Sequence, residues 1–184
     1  MLESTGVAAQ LSSGVRLNAA AKASRNTLAE ILEPTDILLG LDVATKSQAL
    51  REIARFIAAR HRLSDAEVHA SLVEREEIGS TGLGCGVAIP HARVNGLARP
   101  VAAFVRTQIA IPFDAPDGKP VTDIIVLLVP HEATDEHLLL LAEVAEMFAD
   151  KRFREDLRNC ADAAAVRARL LGAAGCDPLN LARP

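Results

Sequence analysis

The chain of 184 residues contains no tryptophan and no tyrosine, and only five phenylalanines. Proteins that hold single-stranded nucleic acid stack bases on aromatic rings, and this sequence has few to offer. Positive charge is not in excess either. Lys and Arg number 20 against 24 Asp and Glu, for a net charge of −4 and a pI near 5.7. That balance supplies no basic footprint, which argues against nucleic acid as the main partner. No apolar stretch reaches the ~20 residues of a membrane-spanning helix, so no membrane insertion is expected. The longest candidates, Ile124–Val129 and Leu138–Ala142, have the length of core elements. The three cysteines, Cys85, Cys160 and Cys176, are odd in number and far apart. Without a signal peptide they read as reduced thiols in a cytoplasmic protein. What is present, 49% hydrophobic and 24% charged residues, suits one well-buried globular core and is short for two.

The organising stretch is Gly79-Ser80-Thr81-Gly82-Leu83-Gly84-Cys85-Gly86-Val87-Ala88-Ile89-Pro90-His91-Ala92-Arg93. Its glycines permit unusual dihedrals and close approach, and Val87 to Ile89 form a short apolar run suited to a buried strand. Pro90 lacks an N–H and holds Ile89 extended, so the sequence predicts a strand that ends there and delivers His91 from a stiff stem. A phosphate-binding P-loop is excluded, because Cys85-Gly86 stand where Lys-Ser or Lys-Thr is required. A dinucleotide fingerprint is excluded too, since here a helix precedes the loop and a strand follows it.

Residues 1–27, with Ala, Ser and Gly and little apolar periodicity, read as a flexible N-terminal extension. Residues 28–172 read as the folded domain, and 173–184 as a C-terminal tail. Ile37 to Leu41 suits an edge strand. Thr45 with Gln48, and Ser64 with Glu67, are capping-box pairs. The helices they start bury Leu50, Ile53, Ala54, Ile57 and Ala58, then Val68, Leu72 and Val73. Strands are expected at 101–109 and 123–129, the second apolar enough to be covered on both faces. Thr134 or Asp135 would cap a helix with the stripe Leu138, Leu141, Ala142, Ala145 and Phe148. Helices over 153–160 and 162–171, the latter with Gly172 as C-cap, would close the domain. This alternation predicts an α/β fold: a single domain with a mixed sheet flanked by helices.

Of the five histidines, His61 and His69 fall on polar faces or ends of predicted helices, where solvated surface residues are the default. His131-Glu132 resembles the start of a zinc-protease motif, but Asp135 stands where the second histidine belongs, and no metal is expected. His91 and His137 each lie at an element terminus beyond an apolar run, where α/β proteins place their sites. From pattern alone His91 reads either as a hydrogen-bonded loop residue or as a reactive imidazole. Arg75, between acids at a helix end, is a surface ion pair unless the glycine loop brings it to His91, where a guanidinium would match phosphate oxygens. Cys85 reads as a small buried residue of the loop rather than a nucleophile.

Taken together, Arg75-Glu76, Gly79-Ser80-Thr81-Gly82-Leu83-Gly84, Val87-Ala88-Ile89-Pro90-His91 and Asp135-Glu136-His137-Leu138 resemble the enzyme IIA domains of the bacterial phosphotransferase system, fructose/mannitol and nitrogen-type. The resemblance covers 28–171. It implies a phosphocarrier in which His91 accepts a phosphoryl group from a small histidine phosphocarrier protein, with His137 and Arg75 in the same site. In that scheme Thr81 and Gly82 of the glycine loop contact the phosphate, and no cofactor or metal takes part. The glycine loop and the absence of a fused transport domain point to the nitrogen-regulatory type. Its partners would be sensor kinases, potassium transporters or other regulated proteins. The alternatives are a sugar-uptake enzyme IIA that passes phosphate to a IIB domain, and an interaction module that has kept the fold without transfer. Ala92 departs from the glycine common in the family.

Overall fold

The computed structural model describes residues 27–132 and 136–172. Helix Thr27–Ile31 (α1) and a 3-10 turn at Pro34–Asp36 lead into strand Ile37–Leu41 (β1). Helices Lys46–His61 (α2) and Asp65–Ile78 (α3) follow, then three short strands, Gly82–Gly84 (β2), Val87–Ala88 (β3) and His91–Val94 (β4). Two long strands, Val101–Ile111 (β5) and Val121–Pro130 (β6), precede helices Glu136–Ala149 (α4), Lys151–Asn159 (α5) and Ala163–Leu170 (α6).

Local chemistry sets these boundaries. Thr45 accepts from the Gln48 N–H at 3.2 Å, and the Gln48 side chain accepts from the Ala44 N–H at 3.0 Å. Ser64 accepts from the Glu67 N–H. Glu67, however, turns its carboxylate to the Asn95 N–H, tying α3 to the turn after β4 instead of closing the box. Asp150 and Asp162 cap α5 and α6, and Gly172, at φ +76°, donates back to Arg169. The residues expected to cap α4, Thr134 and Asp135, lie outside the described residues.

The sheet is mixed, in the order β1-β5-β6-β3-β2, with β4 alongside β6 as well. β5 and β6 are antiparallel, whereas β1 runs parallel to β5, and β3 and β4 run parallel to β6. Alternate residues of β6 enter different cores. Ile124, Val126 and Leu128 pack with Leu50, Ile53, Ile57, Val68 and Leu72 of α2 and α3. Ile125 and Leu127 pack with Leu140, Val144, Phe148, Phe153, Leu157, Val166 and Leu170 on the other side. Both faces of the strand are therefore dry, as its composition requires.

Several expectations are revised. Pro90 interrupts the β edge without ending it: its carbonyl still accepts from the Leu127 N–H at 3.0 Å, and pairing with β6 resumes at His91. Proline removes a donor but keeps its acceptor. Along α4, Leu140, Val144 and Phe148 are buried and Leu141 and Ala145 pack partly buried beside them, while Leu138 and Leu139 are 54% and 73% exposed. Five consecutive apolar residues, Leu138 to Ala142, leave the helical phase open, and docking against the sheet chooses it. Cys85 is exposed, because a φ of +54° turns it outwards at the β2–β3 turn. His61 and His69 are not solvated. His61 bonds to the fully buried Asp36 at 3.1 Å, and the His69 Nε2 atom is buried without a hydrogen-bond partner.

Candidate active site

Strand β4 lies at the margin of the sheet, and α3 and α4, from opposite faces, meet over it. They enclose a cavity of about 500 Å³ lined by Arg75 and Ile78 of α3, His91 and Arg93 of β4, His131, and Leu140 of α4, among others. The volume is within the usual range for small-molecule clefts.

Among the described residues, His91 makes two hydrogen bonds of opposite sense. Its Nδ1 lies 2.9 Å from the carbonyl oxygen of Ile89. A carbonyl can only accept, so Nδ1 carries the proton. Its Nε2 lies 3.0 Å from Nε of Arg75, which can only donate. Nε2 therefore presents its lone pair, and the imidazole is the neutral Nδ1–H tautomer. The stem matters here. Ile89 is buried and donates its own N–H to the Thr81 carbonyl, which fixes the oxygen that orients the ring.

Arg75 is folded back as the functional reading required. Nη1 donates to the Gly79 carbonyl at 3.0 Å, so the first residue of the glycine loop braces the guanidinium while Nε faces His91. The following residue, Glu76, points the other way and is buried. Its carboxylate accepts from Lys46 Nζ at 3.1 Å, the Thr81 N–H at 3.0 Å and the Thr81 hydroxyl at 2.5 Å. Lys46 also contacts Asp114 at 2.6 Å. Burial alone would lower the Lys46 pKa, but its hydrogen bonds to the Asp114 and Glu76 carboxylates outweigh burial and raise it above 10.5.

Arg75 and His91 are thus brought together. Thr81 and Gly82 are placed elsewhere: neither lines the cavity, and both Thr81 donors are directed to Glu76. The Gly82 N–H donates to Ser80 Oγ, and a Cβ at Gly82 would lie 2.9 Å from Ala115. His137 is in the first turn of α4, one turn before Leu140, and its side chain lies outside the described residues. Ala92 sits in β4 without a positive φ and is buried in the α2/α3 core, so the strand accepts a Cβ there.

Arg93 and His131 line the cavity although sequence reasoning did not select them. Arg93 was legible in part, since residues two apart on a strand share a face. His131 was not, because it reaches the site only through the register that sets Val94 beside Pro130. The two are joined by a hydrogen bond of 2.9 Å from Arg93 Nη1 to the His131 carbonyl.

Known proteins share this architecture. A nitrogen regulatory protein of Pseudomonas aeruginosa is 40% identical over 140 residues, covering 76% of this chain and 91% of the relative. The crystal structure of nitrogen regulatory protein IIA-Ntr from Neisseria meningitidis superposes with a TM-score of 0.75 at 44% identity, covering 78% of this chain and 99% of that one. The Escherichia coli IIA mannitol structure, at 19% identity and a TM-score of 0.64 over 75% of this chain and 97% of its own, shares the fold. Residues 30–172 match the family model described as phosphoenolpyruvate-dependent sugar phosphotransferase system, EIIA 2. With that match over most of its length, and with a mixed sheet between two helical layers, the chain belongs to the enzyme IIA family of the phosphotransferase system, a phosphotransferase component related to nitrogen regulatory proteins.

Proposed function

We propose that the protein is a nitrogen-regulatory phosphocarrier that takes a phosphoryl group onto Nε2 of His91 from a small phosphohistidine carrier protein. The observation that carries this reading is the pair of bonds on His91: a proton held at Nδ1 by the Ile89 carbonyl, and a lone pair at Nε2 facing Arg75 in an open cavity. In the transfer, the Nε2 lone pair forms the new N–P bond in line, and the donor's N–P bond breaks, its electron pair leaving with the donor imidazole. Nε of Arg75 gives up Nε2 as phosphorus approaches and donates to the phosphoryl oxygens instead. This places a guanidinium where negative charge is spread in the transition state. The bond to Gly79 keeps Arg75 in reach throughout.

His137, at the start of α4, is assigned as a second donor to the phosphoryl group. Thr81 and Gly82 are assigned an indirect part, since they shape the loop whose Gly79 carbonyl braces Arg75. Phosphorylation would add about −1.5 to −2 charges to the cavity, enough to change which proteins dock there. Kinases and transporters that respond to nitrogen or potassium are the partners proposed.

The test is uptake of acid-labile, base-stable phosphate from a phosphorylated carrier protein. The wild type should take up one equivalent and His91→Ala none, with both folded by circular dichroism. Uptake by the variant would overturn the assignment. Rapid onward transfer to a sugar-specific IIB domain would favour the sugar-uptake role.

A further inference from the structure

A second cavity, of about 560 Å³, opens at the other end of β3 from His91. Lys119, Lys151, Arg154 and Arg158 line it beside the turn at Gly86, and Glu155 is the single acid among these described lining residues. The Gly86 carbonyl accepts from the N–H groups of Thr122 and Asp123, whereas His91 stands beside Leu127. At ~3.3 Å per residue, the two sites are therefore roughly 15 Å apart along β6. Four cations against one acid, on a chain whose net charge is −4, is a local inversion of sign.

The cations are arranged rather than scattered. Lys151, Arg154 and Arg158 recur at three- and four-residue spacing and share one face of α5. Arg154 is braced by Nη1 bonds to the carbonyls of Phe148 and Ala149, at 2.6 and 2.8 Å. Arg158 is braced by its Nη2 bond to the Cys85 carbonyl. The helix that carries them is fixed in turn. Arg106, paired with buried Asp123 at 2.7 Å, donates to the Leu157 and Cys160 carbonyls at its C-terminal end. Lys119 enters from the β5–β6 loop. Its neighbour Asp117 is occupied in accepting from the N–H groups of Cys85 and Lys119. Among the described residues, Lys151 pairs with exposed Glu155, at 3.5 Å.

Two guanidiniums already held at one nitrogen lose little freedom when the rest of the fork engages an anion. A single phosphate could satisfy two of the four cations. We propose that this cavity binds a small polyanion carrying at least two phosphoryl groups, at a site separate from that of phosphoryl transfer. The cavity has the volume of a small-molecule site, while a nucleic-acid strand would need a basic track that the rest of this acidic chain lacks. The proposal does not depend on the reaction assigned to His91.

The experiment is a titration of the ¹⁵N-labelled full chain with sodium pyrophosphate at constant ionic strength, followed by amide shifts. Saturable shifts at Gly86, Lys119, Thr122, Lys151 and Arg154 are expected. Inorganic phosphate should bind about tenfold more weakly, as should pyrophosphate to the Lys119→Gln/Lys151→Gln variant, a change of about 1.4 kcal/mol. Both lysines are exposed, so that variant should keep the wild-type melting temperature. Arg152→Gln, on the same helix but outside the cavity, should bind as the wild type does. Shifts centred on Arg75 and His91, equal affinity for phosphate and pyrophosphate, or equal weakening by Arg152→Gln would each overturn the proposal.

Discussion

At the scale of the residue, the described partners of His91 are one acceptor and one donor. The Ile89 carbonyl chooses the tautomer, and Arg75 marks the nitrogen that is left. Arg75→Lys keeps a positive charge but loses the side-on Nε–H and the brace to Gly79. Single-turnover phosphoryl uptake should slow by about 10²–10³-fold, the usual cost of one transition-state donor, with the fold unchanged. Lys46 gives a pH test. Its folded pKa is raised, so its contribution to stability is complete below its unfolded value, near 10.5, and is lost as pH climbs through the folded value. Lys46→Met should be less stable than the wild type at neutral pH in urea denaturation, and the gap should narrow above pH 10.5. The proximity of Arg75 to His91 was not readable from an Arg among acids. It depends on where α3 ends against β4.

At the scale of the element, the glycine loop is tied into the fold by its own side chains. Thr81 is buried on Glu76, Ser80 donates to the Phe113 carbonyl at 2.6 Å, and Gly82 packs against the Ala115 backbone. Gly82→Ala forces a Cβ to within 2.9 Å of the Ala115 Cα, where backbone must yield. It should destabilise by about 1–3 kcal/mol in denaturant titration and also slow phosphoryl uptake, through the displaced Gly79 carbonyl. Residue type alone marked this loop as special and could not say for what. A hydroxyl in a glycine-rich stretch suits a phosphate as well as a carboxylate, and only the position of Glu76 distinguishes the two. The α4 stripe has the same origin: its Leu-rich start fits more than one helical phase, and the sheet selects Leu140, Val144 and Phe148.

At the scale of the molecule, two cores share one sheet. Residues of β6 alternate between them, so the strand couples α2 and α3 to the helices on the other face. Ile125→Ala, at a fully buried position, should cost about 2–5 kcal/mol. Because both layers rest on the same strand, unfolding followed by far-ultraviolet circular dichroism and by a probe on α2 should remain coincident. The two cavities lie apart along β6, one beside Leu127 and one beside Thr122. The Lys151, Arg154 and Arg158 face was present in the sequence as a helical spacing. It became a cavity only when Lys119 and the Gly86 turn were folded against it.

The sequence by itself determined what acts over a few residues: the caps at Thr45 and Ser64, the apolar faces of α2 and α3, the two-sided burial of β6, and a proline that stiffens the approach to His91. These follow from side-chain period and short-range hydrogen bonding, which do not depend on the rest of the chain. The tertiary structure decided the turn of Arg75 towards His91, the diversion of Thr81 to Glu76, and the closing of His131 and Arg93 around the cavity. Each of these is a contact between separate elements, and strand register and helix docking, not local propensity, determine which atoms meet.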